Sequence, residues 1–294
     1  VLQYLRYLEE LCGAARETLL ARARYAREFL AHQRACGADR PCDWSVEQVM
    51  QWVMDYLGRC KRSSAHTAAC SLRNFLRFAH SRGLCDARLV HAVPKIPVWR
   101  HEGLPRVMTE DQVLRFITSF DRSYPVGRRD YAMALLMVEM GLRVGEVAAL
   151  ELDDIDWRNG MVAVRSSKGR RVRLLPLTDR IGKAISSYIR HGRPASKDRH
   201  VFLRHTLPVG APAKCTLVRR AVCRAYVRSG FPDNWSGTHM LRHTAATRLL
   251  HRGVRLKEIA DILGHRSIDT SAIYAKVDLP ALSAVALPWP EVQP

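Results

Sequence analysis

The first ninety residues carry apolar side chains at helical spacing, in runs bounded by residues that typically begin or end helices. Gly37 closes the first run, which follows Thr18 and has the apolar positions Leu19, Leu20, Ala23, Ala26, Phe29 and Leu30. Ser45, with Gln48 three residues later, forms a capping-box pattern ahead of the second run. A third run occupies residues 64–83 and ends at a glycine. These runs predict an all-α domain over residues 1–90.

The helical pattern breaks over residues 91–105, where prolines stand at positions 94, 97 and 105. Lys95 and Arg100 lie between these prolines, so the segment is too broken for a helix and too basic for a core. We therefore predict that residues 91–105 form a linker to a second domain.

The second domain begins with another helical pattern. Thr109 and Gln112 form a capping box ahead of an apolar run. Residues 131–140 are apolar on nearly every face, which is typical of a buried central helix, and Gly141 is placed to end that helix. The pattern predicts a second domain built around this helix.

Two short segments in the second domain have the composition of strands. They are residues 161–165 and 171–176, and the polar residues 166–170 between them favour a hairpin turn that contains Lys168. The predicted fold class is therefore mainly α with a small antiparallel β-sheet (α+β). No repeat of 20–50 residues interrupts this organisation.

The charge of the chain points to a polyanionic partner. The 294 residues carry a formal net charge of +19, and the pI is about 10.2. Lys and Arg outnumber Asp and Glu by 16 to 10 over residues 1–105 and by 31 to 18 over residues 106–294. Because both parts are basic, the distribution favours a protein that grips nucleic acid along its length over one with a basic tail.

The eight cysteines include no C-x-x-C pair, which favours a reduced setting over a disulfide framework. The first residues lack the features of a signal peptide, and no stretch of 18 apolar residues predicts a membrane span. We therefore expect a cytoplasmic, nucleoid-associated bacterial protein without a membrane partner.

The residues that carry chemistry lie in the second half of the chain. Arg143 stands in the segment GLRVGE, and His239 and Arg242 stand in the segment THMLRHT. His265 follows Leu263 and Gly264, and Tyr274 comes nine residues after His265. Metal-free cleavage of a phosphodiester needs cations for the phosphate oxygens, a nucleophile and an acid for the leaving oxygen. Two arginines, one acid and one tyrosine meet that requirement.

Together these segments resemble the catalytic domain of the tyrosine recombinases, the phage-integrase and Xer family, over residues 104–277. The resemblance implies a helical, SAM-like core-binding domain at residues 1–90 and a catalytic domain at residues 106–277. It further implies that the two domains form a C-shaped clamp around DNA.

The resemblance also assigns roles to the residues. Arg143, Arg242 and His265 are expected to bind the scissile phosphate, and His239 is expected to be a phosphate ligand or a general base. Lys168 matches the general acid for the leaving 5′ oxygen, and Tyr274 matches the nucleophile. Glu146 matches an acidic position that orients Arg143. Weaker DNA-binding expectations fall on Lys61, Arg62, Arg73 and Arg77.

A zinc site is the rival interpretation of the histidine pair. His239 and His243 have the i, i+4 spacing of zinc metalloproteases, but Met240 does not supply the glutamate that such enzymes need. The cysteines offer no zinc-finger ligand pair either. We therefore expect neither a metal nor any other cofactor.

Residues 278–294 form an apolar tail broken by prolines, for which the resemblance implies exchange between subunits. The expected partners are double-stranded DNA with specific recombination sites and further copies in a homotetramer on two duplexes, with or without partner recombinases. The expected function is site-specific recombination through a 3′-phosphotyrosyl intermediate, without metal or ATP, in a mobile element. Two alternatives stay open: a type IB topoisomerase-like enzyme, and a non-cleaving accessory protein or repressor of the same fold.

Overall fold

The computed structural model describes residues 1–60, 62–97, 105–165, 172–232, 234–235, 237–265 and 273–274. The chain divides into two compact units, Val1–Glu102 and Gly103–Pro294. This division falls within the segment assigned to the linker, and the predicted domain bounds stay a prediction. Lys61, Lys168 and the tail 278–294 lie outside the described residues.

Five α-helices occur among the described residues of the first unit: α1 (Leu2–Glu10), α2 (Arg16–Ala35), α3 (Val46–Arg59), α4 (Arg62–Ser81) and α5 (Arg88–Ala92). The capping box at the start of α3 is present, since Ser45 Oγ accepts from Gln48 N and Gln48 Oε1 accepts from Ser45 N. No strand occurs among the described residues of this unit. Buried aromatic side chains form much of its core, among them Phe29, Trp44, Trp52 and Phe75.

The described residues of the second unit form seven further α-helices: α6 (Glu110–Thr118), α7 (Pro125–Val138), α8 (Val144–Ala148), α9 (Asp179–His191), α10 (Cys215–Arg228), α11 (His239–His251) and α12 (Leu256–Leu263). The predicted central helix is α7, which begins at Pro125 and ends at Val138. Every residue from Arg129 to Val138 is buried. Its continuous burial explains why residues 131–140 show no polar face.

Three antiparallel strands form the sheet in chain order: β1 (Ile155–Asp156), β2 (Met161–Arg165) and β3 (Val172–Pro176). The two predicted strands correspond to β2 and β3, and the predicted fold class is confirmed. The register places Val164 of β2 opposite Arg173 of β3. Val162 and Val164 are buried, which fastens the sheet to the core of the second unit.

The helices in the described part of the chain lack the combination of length and apolar character that a membrane span requires.

Candidate active site

The first part of the site is a buried carboxylate that holds Arg143. Arg143 is the residue that precedes α8, and Glu146 lies in the first turn of that helix. Glu146 Oε2 accepts from the backbone N of Arg143 at 2.8 Å, and Oε1 accepts from its Nη1 at 3.0 Å. The glutamate side chain is only 1% exposed, whereas that of Arg143 is 36% exposed. Glu146 therefore holds the Arg143 guanidinium on one side, and part of the guanidinium stays exposed to solvent.

The C-terminal end of α12 holds the same guanidinium from a second direction. Arg143 donates from Nη1 to the Leu263 carbonyl at 3.3 Å and from Nη2 to the Gly264 carbonyl at 3.1 Å. The last carbonyls of a helix lack helical partners and carry partial negative charge, so they attract cations. The end of α12 thus helps to collect positive charge at the site.

Arg242 lies beside Arg143 and is almost completely buried. It donates from Nη1 to the Gly141 carbonyl at 2.5 Å, and from Nη2 to the Leu263 carbonyl that Arg143 also contacts. Burial, followed by the charge of Arg143, lowers the pKa of Arg242 to about 10. The side chain therefore stays protonated at neutral pH, and its positive charge lies close to that of Arg143.

A third arginine, Arg173 of β3, belongs to the same cluster and was not predicted. Its Nη2 lies 2.8 Å from Glu146 Oε1, and its Nη1 donates to the Ile262 carbonyl at 2.5 Å. Strand alternation could have shown only that Arg173 lies on the same strand face as the buried Leu175, and not which residues it contacts. Glu146 is thus one carboxylate between two arginines, and this cluster carries net positive charge.

Gly264 forms the turn that places His265. Its φ of +63° ends α12 in the left-handed conformation that favours glycine, and a Cβ there would lie 2.9 Å from the Arg173 guanidinium. His265 therefore follows a left-handed turn at the end of α12. Burial, with the charges of Arg242 and Arg143 next in importance, lowers the pKa of His265 to about 4. Its imidazole is neutral at neutral pH.

Tyr274 is buried against α11 and α12. Its side chain is 1% exposed and packs in a small apolar cluster with Ala246, Ile259 and Leu263. The rings of Tyr274 and His265 are stacked, with centroids 6.2 Å apart and an angle of 18° between the planes. Burial raises the pKa of the Tyr274 phenol, and Arg242 and Arg143 oppose that shift without cancelling it. The hydroxyl is therefore protonated at neutral pH.

Helix α11 contributes two histidines to the site, His239 and His243, and the second contacts Tyr274. His243 Nδ1 lies 3.2 Å from the Tyr274 hydroxyl oxygen, and the His239 ring centroid is 6.4 Å from that of His243. His239 keeps a solvent-exposed side chain at the start of α11. Protein atoms around its imidazole still remove part of the hydration, and this desolvation, followed by the charges of Arg242 and Arg143, lowers the pKa of His239. The contact between His243 and Tyr274 was not predicted, because the sequence gives no sign of which residues face position 274.

The structure thus brings five of the six predicted catalytic side chains into one region: Arg143, His239, Arg242, His265 and Tyr274. The sixth, Lys168, is outside the described residues. The cluster presents guanidiniums and neutral imidazoles around a phenol, which suits an anionic, phosphate-like group and a nucleophilic attack on it. In the described ranges, no three His, Cys, Asp or Glu side chains group closely enough to hold a metal ion.

The DNA-binding predictions in the first unit differ in their surroundings. Arg62 and Arg77 are exposed on α4. Arg73 is half-buried and donates from Nη2 to the carbonyls of Val93 and Pro94, at 3.0 and 3.1 Å. These hydrogen bonds tie α4 to the segment that follows α5. Contact of these three residues with DNA stays a prediction.

The sequence of this chain is similar to those of integrases and recombinases. The sequence model of the phage integrase family matches residues 106–279. The integrase/recombinase homologue y4rA of Sinorhizobium fredii is 38% identical over 98% of this chain and 70% of its own length. Tyrosine recombinase XerA of Thermococcus kodakarensis is 32% identical over 91% of this chain and 87% of its own.

Solved structures share the fold at lower sequence identity. XerH recombinase bound to the palindromic difH substrate, in a post-cleavage complex, has a TM-score of 0.73 and 19% identity, over 95% of this chain and 83% of that one. A lambda integrase tetramer bound to a Holliday junction has a TM-score of 0.66 and 21% identity, over 92% of this chain and 76% of that one.

Proposed function

Because this chain belongs to the phage integrase family, we propose that it is a site-specific DNA recombinase that cuts and rejoins strands through a phosphotyrosyl intermediate. The observation that carries the proposal is the placement of the Tyr274 phenol beside His243 and His265, next to the arginine cluster. A phenol in that position can attack a phosphate that the guanidiniums hold.

Phosphate binding is the first task of the site. Arg143 and Arg242 would pair with the non-bridging oxygens, and a bound phosphate would relieve the repulsion between their charges. His239 and His265 are neutral at neutral pH because of their lowered pKa values, so each would donate one N–H hydrogen bond. Donors fixed before the substrate arrives stabilise the charge that develops in the transition state.

Strand cleavage is the second task. The Tyr274 oxygen would form a bond to phosphorus while the bond to the 5′ oxygen breaks, giving a 3′-phosphotyrosyl link and a free 5′ hydroxyl. During the attack the phenol must pass its proton to a base, which is a neutral imidazole of the site or a water molecule. The leaving oxygen must gain a proton, for which Lys168 is the proposed acid. A phosphodiester is replaced by a phosphodiester, so a 5′ hydroxyl from another strand can reverse the step without ATP.

The proposed partner is double-stranded DNA. The XerH structure is bound to the palindromic difH substrate, and the lambda integrase tetramer is bound to a Holliday junction. We propose further that four copies act on two duplexes, with the first unit and the catalytic unit gripping each duplex and residues 278–294 exchanged between neighbouring subunits. The charge of +19 supports the grip on DNA. The lambda integrase tetramer supports the subunit number.

Covalent trapping tests the proposed function. The protein is incubated with nicked suicide duplexes taken from the DNA that flanks its gene, and adducts resistant to SDS are sought. We expect an adduct with the parent and none with Tyr274→Phe, because phenylalanine keeps the buried ring but has no nucleophilic oxygen. Equal adduct in both proteins would refute Tyr274 as the nucleophile. DNA binding with no adduct in either would favour a non-cleaving binder, and relaxation of supercoils without strand exchange would favour a topoisomerase.

A further inference from the structure

His243 contacts the proposed nucleophile, and in the sequence it stands out only through its i, i+4 spacing from His239. Its Nδ1 lies 3.2 Å from the Tyr274 hydroxyl oxygen, and the two ring centroids are 5.6 Å apart with an angle of 60° between the planes. The distance is within the range of a hydrogen bond, and the tilt brings a ring nitrogen rather than the ring face to the hydroxyl.

Ring packing and hydrogen bonding fix different features of Tyr274. The stacked His265 ring and the apolar cluster around Ala246, Ile259 and Leu263 hold the plane of the phenol ring. These contacts do not select between the orientations that the hydroxyl hydrogen can adopt about the C–O bond. A hydrogen bond to His243 Nδ1 selects one orientation, and it also fixes the directions of the oxygen lone pairs.

The surroundings of His243 favour a neutral ring that can accept. Its half-buried imidazole lies one residue after Arg242 and one turn after His239. Burial, followed by the influence of His239 and the charge of Arg242, lowers the pKa of His243 to about 4. The phenol is protonated at neutral pH and has a hydrogen to donate. The pair therefore forms most readily with the phenol as donor and with the imidazole proton on Nε2.

We propose that His243 is a positioning residue for strand cleavage, whose Nδ1 accepts the hydrogen bond of the Tyr274 hydroxyl and aims the oxygen lone pairs at phosphorus. The inference rests on the proposed function, in which Tyr274 is the nucleophile. It gives the direct contact with the nucleophile to His243, whereas His239 and His265 keep their proposed contacts with the phosphate.

Two substitutions separate the hydrogen bond from packing. His243→Asn places a polar atom near the position of Nδ1, and His243→Gln places one near the position of Nε2 although its volume is closer to that of histidine. His251→Asn is the matched control, since His251 is an exposed residue of the same helix. All are compared with the parent and with Tyr274→Phe for adduct formation at saturating DNA, for DNA affinity and for thermal unfolding.

We expect His243→Gln to form adduct about 10- to 100-fold more slowly than the parent, since a small misplacement of a reacting group costs on that order in rate. His243→Asn should recover much of the loss, and DNA affinity should not change. The same ranking is expected on a duplex with a sulfur as the leaving 5′ atom, because a thiolate leaves without an acid and the defect lies in the attack. Adduct rates equal to the parent in both variants would overturn the proposal, as would a defect that disappears on the sulfur duplex.

A second measurement does not depend on the folding of His243 variants. In ¹⁵N NMR of the histidine side chains, His243 Nδ1 of the parent should have the shift of an unprotonated, hydrogen-bonded nitrogen, and Tyr274→Phe should move that shift. A protonated Nδ1, or a shift that is the same in the two proteins, would contradict the inference. A parent that forms no adduct on any flanking duplex would instead count against the proposed function, and the two failures are thereby distinguished.

Discussion

Glu146 decides how the arginines of the site are arranged. One oxygen of its buried carboxylate contacts both Arg143 and Arg173, and the other accepts from the backbone N of Arg143. A buried carboxylate is tolerated when cations and N–H donors satisfy it, and both are present here. The hydrogen bonds from Arg143 to Glu146 support the predicted role of Glu146 in orienting Arg143. That Glu146 matters for the reaction stays a prediction.

The histidines of the site predict how stability depends on pH. Burial and nearby positive charge lower the pKa of His243 and of His265 from 6.5 to about 4. Between these values the unfolded chain binds protons that the folded chain does not, so the free energy of unfolding falls as pH decreases from 6.5 to 4. Each histidine makes its full contribution to the free energy of unfolding above pH 6.5. Protonation at low pH removes at most about 3 kcal/mol of that free energy per histidine.

Urea unfolding between pH 7 and pH 5 measures this effect in a range where most carboxylates stay ionised. His265→Gln should flatten the pH dependence, because glutamine does not titrate. His251→Gln, which changes an exposed histidine, should leave the dependence as it is in the parent. A slope that is the same in all three proteins would show that His265 is not protected from protonation.

At the scale of elements, a glycine turn after α7 allows that helix to approach the end of α12. Gly141 follows α7 with a φ of +65°, and a Cβ at that position would lie 2.4 Å from Leu263 Cδ2 at the end of α12. The close approach lets the carbonyls of Gly141 and Leu263 both serve Arg242. The glycine is therefore required for its backbone conformation and for its lack of a side chain.

Gly141→Ala should separate these two requirements when it is compared with Gly160→Ala. Gly160 has a similar φ of +62°, but a Cβ at that position would have no neighbouring atom within 4 Å. We expect Gly160→Ala to lower the free energy of unfolding by about 1–2 kcal/mol, the cost of the left-handed conformation alone. Gly141→Ala should cost roughly a further 1–3 kcal/mol for the clash, and should slow adduct formation. Equal losses in urea unfolding would contradict the packing argument.

The sequence predicts elements well where local signals are strong. Both capping boxes, at Ser45 and at Thr109, are present as predicted, since the two hydrogen bonds of each need only nearby residues. Helix α1 was missed although Tyr4 and Leu8 are buried at helical spacing, because one turn of apolar positions is a weak signal. Strand β1 has two residues and depends on its pairing with β2, which local sequence does not encode.

The residues of the site also divide into those with a local sequence signal and those without one. Arg143, Arg242, His265 and Tyr274 could be proposed from short motifs, because each motif is contiguous and the order of the four is specific. The contacts of Arg173 and His243 could not, because they join residues far apart in the chain: Arg173 with Glu146, and His243 with Tyr274. Such contacts depend on how the helices and the sheet pack.

At the scale of the whole molecule, the charge of +19 predicts a strong dependence of DNA binding on salt. Each phosphate contact releases counterions, so a protein with 6–10 such contacts loses roughly 10³–10⁵ in affinity between 50 and 200 mM salt. We expect a loss in this range in a titration of fluorescent duplex DNA. Tyr274→Phe should give the same slope, because the phenol hydroxyl neutralises no phosphate. An affinity that barely changes with salt would contradict a grip based on phosphate contacts.

The burial of Tyr274 has an evolutionary consequence. The same ring that carries the proposed nucleophilic oxygen also fills the apolar cluster with Ala246, Ile259 and Leu263. Selection for a stable fold and selection for recombination therefore act on one position, but only the second requires the hydroxyl. A lineage that ceased to recombine would still be selected for an aromatic ring there, and Tyr to Phe is the change by which such a gene could lose its reaction and keep its fold.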